Sequence, residues 1–166
     1  PPYGDHRTTV AYGQFSTNLS TLAFGESYER MFGIDEMGLG GERVEREFSD
    51  IQTRSEALAN VVSELDSKEG RSVDALEFFT DFYSVIENVG RIIKPSQPTT
   101  WVVADRQMSS VWIPMAKITQ ELCESVGYST HSIIPRSIKN KTLPEKNKSG
   151  ETMKEESLVV MKGPQS

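Results

Sequence analysis

The sequence has few of the residue types that cross-link small domains or bind metals. Of its 166 residues, one is a cysteine and two are histidines. A single thiol excludes an intramolecular disulfide framework and a zinc site built from several cysteines. His6 and His131 lie far apart in the sequence and lack the spacing of metal ligands. We therefore expect no bound metal and a reducing, cytoplasmic compartment.

Long apolar runs are also absent. No run approaches the ~20 apolar residues that a membrane-spanning helix needs, so we expect no membrane partner. Hydrophobic residues make up 36% and charged residues 25% of the chain, which is typical of a globular protein of one domain. The lone Cys123 falls on the apolar spacing of a predicted helix, and we expect it to be a buried core residue.

Charge is unevenly distributed along the chain. The formal net charge is -6, with most of the acidic excess within 26–87. Positive charge concentrates in 136–148, where Glu145 is the one acidic residue among five basic ones: Arg136, Lys139, Lys141, Lys146 and Lys148. A basic patch on an acidic domain can still contact phosphate. A solvated, charged loop remains the alternative.

Two helices are predicted from hydrophobic periodicity. Apolar residues recur at steps of three and four over 44–65 and again over 73–93. Each pattern gives one apolar face, which predicts packing on a core or on a partner helix. Ser72 is a plausible N-cap for the second helix, and Pro95 follows its end.

The remaining segments alternate between strands and helices. A β-branched and aromatic run over 99–105 predicts a buried strand, and a helix should begin near Pro114 and stop at Gly127. Two further strands are predicted at 128–138 and 156–163. This alternation favours an α/β fold on a largely parallel sheet, with the last two strands as an antiparallel hairpin at its edge.

The first fifteen residues, PPYGDHRTTVAYGQF, carry the most specific motif. They resemble the catalytic motif of DNA methyltransferases that methylate an exocyclic amine, which share an Asp/Asn/Ser-Pro-Pro-Tyr stretch. Downstream stretches are similar to the same family in the same order: RIIKP, VVADR, GYSTHSIIPRSIKNKTLPEKN and TMKEESLVVMK. The sequence begins at the first proline of this motif. We therefore interpret its first residues as a catalytic loop without the Asp, Asn or Ser that precedes Pro-Pro-Tyr.

The resemblance implies a fold and a domain organisation. The fold class would be α/β: an incomplete Rossmann-like methyltransferase sheet with a helical insertion and a C-terminal antiparallel β-hairpin. Residues 1–166 would form the C-terminal part of one catalytic domain. Within it, 1–14 would be the catalytic loop, 15–70 the helical insertion, and 71–166 the α/β part with a basic loop at 136–150.

The resemblance also implies site residues. Pro1, Pro2 and Tyr3 would be catalytic, with Tyr3 as the platform for a target base that has left the duplex stack. S-adenosylmethionine would be the methyl donor. Its main binding motif is expected upstream, since the GLGGE cluster follows no strand, and Pro1 and Gly4 are the candidate cofactor contacts in this chain. The implied DNA-binding residues are Arg7, Arg106, Arg136, Lys139, Asn140, Lys141, Lys146 and Asn147.

Several functions remain open from the sequence. The favoured function is transfer of a methyl group to cytosine N4, ahead of adenine N6, in a restriction–modification system. Double-stranded DNA and a missing N-terminal half of the same enzyme would be the partners. The alternatives are an amino-methyltransferase acting on RNA or protein, and a non-catalytic half that binds DNA or a partner. Arg106 could equally form a salt bridge.

Overall fold

The structure, a computed structural model, describes residues 48–68, 71–137 and 155–165. Four helices are found there: α1 (Ser49–Thr53), α2 (Glu56–Lys68), α3 (Ser72–Ile92) and α4 (Met115–Ser125). The same residues form five strands: β1 (Pro98–Val103), β2 (Arg106–Met108), β3 (Val111–Ile113), β4 (Ser129–Ser137) and β5 (Glu155–Lys162). The strands and helix predicted from 99 onward are therefore confirmed in position.

The strands form two separate antiparallel sheets. The larger has three strands in the order β1–β5–β4, and the smaller is the β2–β3 hairpin. Strand β5 pairs antiparallel with both of its neighbours. The predicted antiparallel pairing of the last two strands at the edge of the sheet is confirmed: β4 is an edge strand, and β5 lies between β4 and β1.

The expectation of a largely parallel sheet is wrong for the described residues. Strands β1 and β4 do run in the same direction, but β5 lies between them, so every pair of neighbouring strands is antiparallel. Alternation of strands and helices indicates the direction of each strand but not which strands become neighbours. The architecture is a mixed helix and sheet fold.

Helices cover one face of the three-stranded sheet. Residues that alternate along the strands, including Val103 and Val159, join the side chains of the helices in one hydrophobic core. Within the core, Phe78 stacks on Phe82 with ring centroids 6.0 Å apart, and Trp101 meets the Phe82 ring edge-on. The sheet and the helices therefore stabilise one another through shared aromatic packing.

The helix predicted over 44–65 is divided in the structure. Helix α1 ends at Thr53, and α2 begins after Ser55, whose hydroxyl oxygen accepts the Leu58 N–H at 3.0 Å. That hydroxyl also donates to the Glu121 carboxylate of α4 at 2.7 Å. A serine side chain that binds nearby backbone favours a helix start over a helix interior, and here it ends one helix and caps the next.

The start of α3 also differs from the prediction. Ser72 is the first residue of the helix and not its cap, because Arg71 occupies the N-cap position without a side-chain cap hydrogen bond. Arg71 instead forms an ion pair with Asp74 across the first turn, at 2.9 Å. The acidic residue in that turn is favourable beside the positive end of the helix dipole.

Helix α4 ends at Ser125 with Val126 as its C-cap, and Gly127 stops it as the sequence predicts. The Gly127 N–H donates to the Glu124 carbonyl and the Tyr128 N–H donates to the Cys123 carbonyl, which is the Schellman arrangement. It requires a left-handed residue, and Gly127 has φ +96. The turn carries Tyr128 into the core, where its hydroxyl donates to the Ile86 carbonyl at 3.1 Å.

Replacing Gly127 by alanine tests this turn. We expect Gly127→Ala to lower the free energy of unfolding by about 1–2 kcal/mol, because a Cβ is unfavourable in the left-handed region. Gly127→Asn should lose less, since asparagine tolerates this conformation. Urea unfolding followed by circular dichroism measures both. Equal losses for the two variants would contradict the backbone explanation.

No helix within the described ranges has the length and apolar character needed to cross a membrane.

Candidate nucleic-acid interface

Two segments with predicted DNA-binding residues follow β1 and β4. Both leave the three-stranded sheet at the same edge, the one formed by the carboxyl ends of β1 and β4. Strands β1 and β4 are parallel to each other because each is antiparallel to β5. Val103, Ser157 and Pro135 form one row across the sheet. One intervening strand separates β1 from β4 by about 10 Å. The segments that follow β1 and β4 therefore begin close together.

Arg106 lies at this edge as the first residue of β2. Its Nε donates to the Gln107 carbonyl at 3.4 Å, and the residue is only partly buried. The preceding Asp105 accepts the Ala116 N–H at 3.4 Å and so ties the end of β1 to the first turn of α4. Arg106 is thus fixed between two structured elements at the sheet edge.

Arg136 lies at the same edge, on β4 near its end. It is paired in register with Glu156 of β5, and its guanidinium forms an ion pair with the Glu156 carboxylate. The side chain of Arg136 is 63% exposed and that of Glu156 is 17% exposed. The pair neutralises part of the positive charge of Arg136. A phosphate contact would have to share this guanidinium with Glu156.

Sequence reasoning missed the β2–β3 hairpin, which also lies at this edge. Each strand has three residues, which is too short for a period-2 pattern to show. The turn is formed by Ser109 and Ser110, with φ 48 and φ 63. Two positive φ values define the usual hairpin turn, but Asn-Gly is its recognisable signal and Ser-Ser is not.

Most of the predicted site residues lie outside the described residues. These are the catalytic Pro1, Pro2 and Tyr3, the candidate cofactor contact Gly4, and the DNA-binding candidates Arg7, Lys139, Asn140, Lys141, Lys146 and Asn147. Their roles remain predictions. Of the predicted DNA contacts, the structure describes Arg106 and Arg136 and brings both to one edge of the sheet.

Two ionisable side chains of the core, Cys123 and Tyr128, have raised pKa values. Cys123 is completely buried, which confirms its predicted core role, and this burial raises the pKa of its thiol to about 12. Burial also raises the pKa of Tyr128 to about 12. Each group is packed inside the protein. Neither has the exposure of a nucleophile or a proton donor at a site.

Glu121 is the carboxylate that connects α2 with α4. Burial tends to raise the pKa of Glu121, but hydrogen bonds from Ser55, from the Ala57 N–H and from Lys117 outweigh it and lower that pKa. The carboxylate accepts the Ala57 N–H at 3.0 Å and so holds the first turn of α2. Its lowered pKa therefore reflects a structural role.

The described residues provide neither a metal site nor the main cofactor loop. Within 48–68, 71–137 and 155–165, no group of three or more His, Cys, Asp or Glu side chains could hold a metal ion. The glycines there are Gly90 within α3, Gly127 at the end of α4 and Gly163 after β5. None follows the carboxyl end of β1 or β4, so these residues do not fit the glycine-rich loop expected for S-adenosylmethionine.

Comparison with known proteins finds a methyltransferase. The chain is 34% identical over 159 residues to the Type II methyltransferase M.MvaI of Kocuria varians, a match that covers 89% of this chain. The chain is therefore similar to one part of a Type II methyltransferase. The chain spans 34% of the length of that methyltransferase. No family model matches the sequence, and no solved structure matches the chain.

Proposed function

We propose that this chain is the catalytic and C-terminal part of a DNA methyltransferase that modifies an exocyclic amine. The observation that carries the proposal is the 34% identity to a Type II methyltransferase over 89% of the chain. The Pro1-Pro2-Tyr3 motif supports amine methylation in particular. The type of the relative favours a restriction–modification system. The residues that follow Pro1-Pro2-Tyr3 resemble those of the family members that have serine before Pro-Pro-Tyr, and this resemblance favours cytosine N4 over adenine N6.

The proposed domain is a Rossmann-like methyltransferase fold. It would comprise a catalytic loop at 1–14, a helical insertion at 15–70 and an α/β part at 71–166. Strands β1 and β4 run parallel to each other on either side of β5 and helices pack on the sheet, an arrangement that is compatible with such an α/β domain. A further part of the same enzyme would supply the main contacts to S-adenosylmethionine, since the described residues do not.

The proposed chemistry needs an ordered, unstacked base. Tyr3 would stack on the ring of the extruded base, and the Pro1 carbonyl would accept one hydrogen of its amino group. Pro2 restricts the loop so that this acceptor stays in place. An accepted hydrogen bond also orients the nitrogen lone pair toward the methyl group. S-adenosylmethionine supplies that methyl group when bound.

DNA would be held at the sheet edge described above. Arg106 and Arg136 lie there, and the basic residues within 139–147 directly follow β4. Lysine and arginine side chains would contact phosphates and set the position of the duplex, while Asn140 and Asn147 could meet base edges. Arg7, beside the catalytic motif, is the remaining proposed DNA contact.

Methyl transfer from labelled S-adenosylmethionine tests the proposed function. The full gene product would be incubated separately with unmethylated duplex DNA, RNA and protein, and the modified products identified by mass spectrometry. We expect N4-methylcytosine in duplex DNA. N6-methyladenine would correct the target base. Label in RNA or protein alone, in cytosine C5, or in no substrate would overturn the proposal.

A further inference from the structure

The inner face of the β2–β3 hairpin is fixed to the protein core. Met108, Val111 and Ile113 are all nearly or completely buried, and Met108 pairs with Val111 next to the turn. Strand β3 also contacts α2. The hairpin is therefore a rigid projection, because its inward side chains are held by close packing.

The outer face of the hairpin presents a tryptophan and a glutamine side by side. Trp112 is 50% exposed and pairs directly with Gln107, which is also exposed. Trp101 is different: it is half-buried, and its ring lies edge-on to Phe82 at 5.7 Å. An exposed indole on a fixed ribbon offers a large flat surface to a ligand at little cost in conformational entropy.

The position of this pair suits contact with nucleic acid. The hairpin begins at Arg106, three residues after β1 ends at Val103, on the sheet edge from which the basic segment after Ser137 also leaves. A two-stranded ribbon fits the major groove of duplex DNA, and glutamine can form two hydrogen bonds with adenine there. Tryptophan can stack on a base or lie between base steps.

We propose that the β2–β3 hairpin is a DNA-reading ribbon in which Trp112 packs against bases and Gln107 contacts a base edge. This inference rests on the proposed function and adds two contact residues to it. The ribbon would hold the duplex next to the base that is taken out of the stack. The exposed indole of Trp112 would then stack on a base that has lost its stacking neighbour when the target base leaves the duplex.

Duplex binding by variants of the full gene product tests the ribbon. Fluorescence anisotropy with a labelled duplex, at one fixed salt concentration, gives the dissociation constant. We expect Trp112→Ala to weaken binding about tenfold, as loss of one stacked base does, and Trp112→Phe to stay within about threefold of the parent. Gln107→Ala should reduce discrimination between duplexes that differ in one base pair.

A matched control is available on the opposite edge of the sheet. Ile92 is 83% exposed at the end of α3, just before the chain enters β1, and Ile92→Ala should leave the dissociation constant unchanged. Unchanged melting temperatures would show that the hairpin variants remain folded. If Trp112→Ala binds the duplex as tightly as the parent does, the ribbon is overturned, whether or not the melting temperature of the variant changes.

The two proposals fail in different ways. If Trp112→Ala binds and methylates duplex DNA like the parent, the ribbon is wrong and the proposed function stands. If the parent transfers no methyl group to DNA, the proposed function fails whatever the hairpin variants do. If the parent does not bind duplex DNA, the ribbon is overturned as well.

Discussion

Phe79→Ala should lower the free energy of unfolding by about 3–5 kcal/mol, the usual loss for a truncated aromatic residue in a core. Phe79 is completely buried in α3, and its ring meets that of Phe78 edge-on with centroids 5.1 Å apart. The loss combines apolar area returned to water with the cavity left between helices and sheet. It is a large share of the about 5–15 kcal/mol that stabilises a typical domain.

Urea unfolding followed by circular dichroism measures this loss. The matched control is Val85→Ala on the same helix, where the side chain is 38% exposed and the change should stay within about 0.5 kcal/mol. If Phe79→Ala is too unstable to purify, Phe79→Leu provides a milder truncation. A Phe79 variant that unfolds like the Val85 variant would show that this face of α3 is not the core.

Tyr3→Ala should produce the second large effect, on activity. If Tyr3 stacks on the extruded base, its loss should lower kcat/KM for methyl transfer about 10- to 100-fold, in line with base–aromatic stacking energies. Tyr3→Phe keeps the ring face and should retain most of the activity. The rates of methyl transfer by the parent, Tyr3→Ala and Tyr3→Phe can be compared by single-turnover methylation of duplex DNA with labelled S-adenosylmethionine.

The pair of Tyr3 variants distinguishes a base platform from other roles. Equal losses in Tyr3→Ala and Tyr3→Phe would indicate that the hydroxyl matters and the ring face does not. Full activity in Tyr3→Ala would remove Tyr3 from the proposed site. A loss of activity accompanied by a lower melting temperature would point to a structural tyrosine, so thermal unfolding is the necessary companion measurement.

The helices were the most predictable part of the fold. In α3, Leu76, Phe79, Phe82 and Ile86 are all buried as their spacing predicts. A long amphipathic pattern is informative because one continuous stripe must face the core. The break at Ser55 could not be predicted in this way. The spacing of the apolar residues continues through Ser55, so periodicity alone indicates one helix. Only the contacts of Ser55 with Leu58 and Glu121 reveal the cap.

The sheet was less predictable than its strands. The positions of β1, β4 and β5 along the chain follow from local composition. Their order in the sheet, with β5 between β1 and β4, does not. Strand β5 follows β4 across residues 138–154 and pairs with β1 as well. Contacts between residues far apart in the sequence decide that arrangement. The sequence pattern of any single strand does not contain it.

The candidate site was predictable to different degrees at different residues. Arg106 and Arg136 could be proposed from their motifs, but their common position at one sheet edge required the strand order. The partner of Arg136, Glu156, is 20 residues away in sequence and opposite in register. Trp112 and Gln107 gave no signal, because three-residue strands and a Ser-Ser turn do not stand out from a loop.

The central position of β5 has a consequence for synthesis on the ribosome. Among the described strands, β1 and β4 are made before β5 and do not pair with each other, so neither can pair with β5 until Lys162 has left the exit tunnel. Until then, the edges of β1 and β4 that will pair with β5 are open, and open strand edges are prone to pair with other chains. A nascent chain stalled before Glu155 should therefore be a target for chaperones, although its helices have already been made.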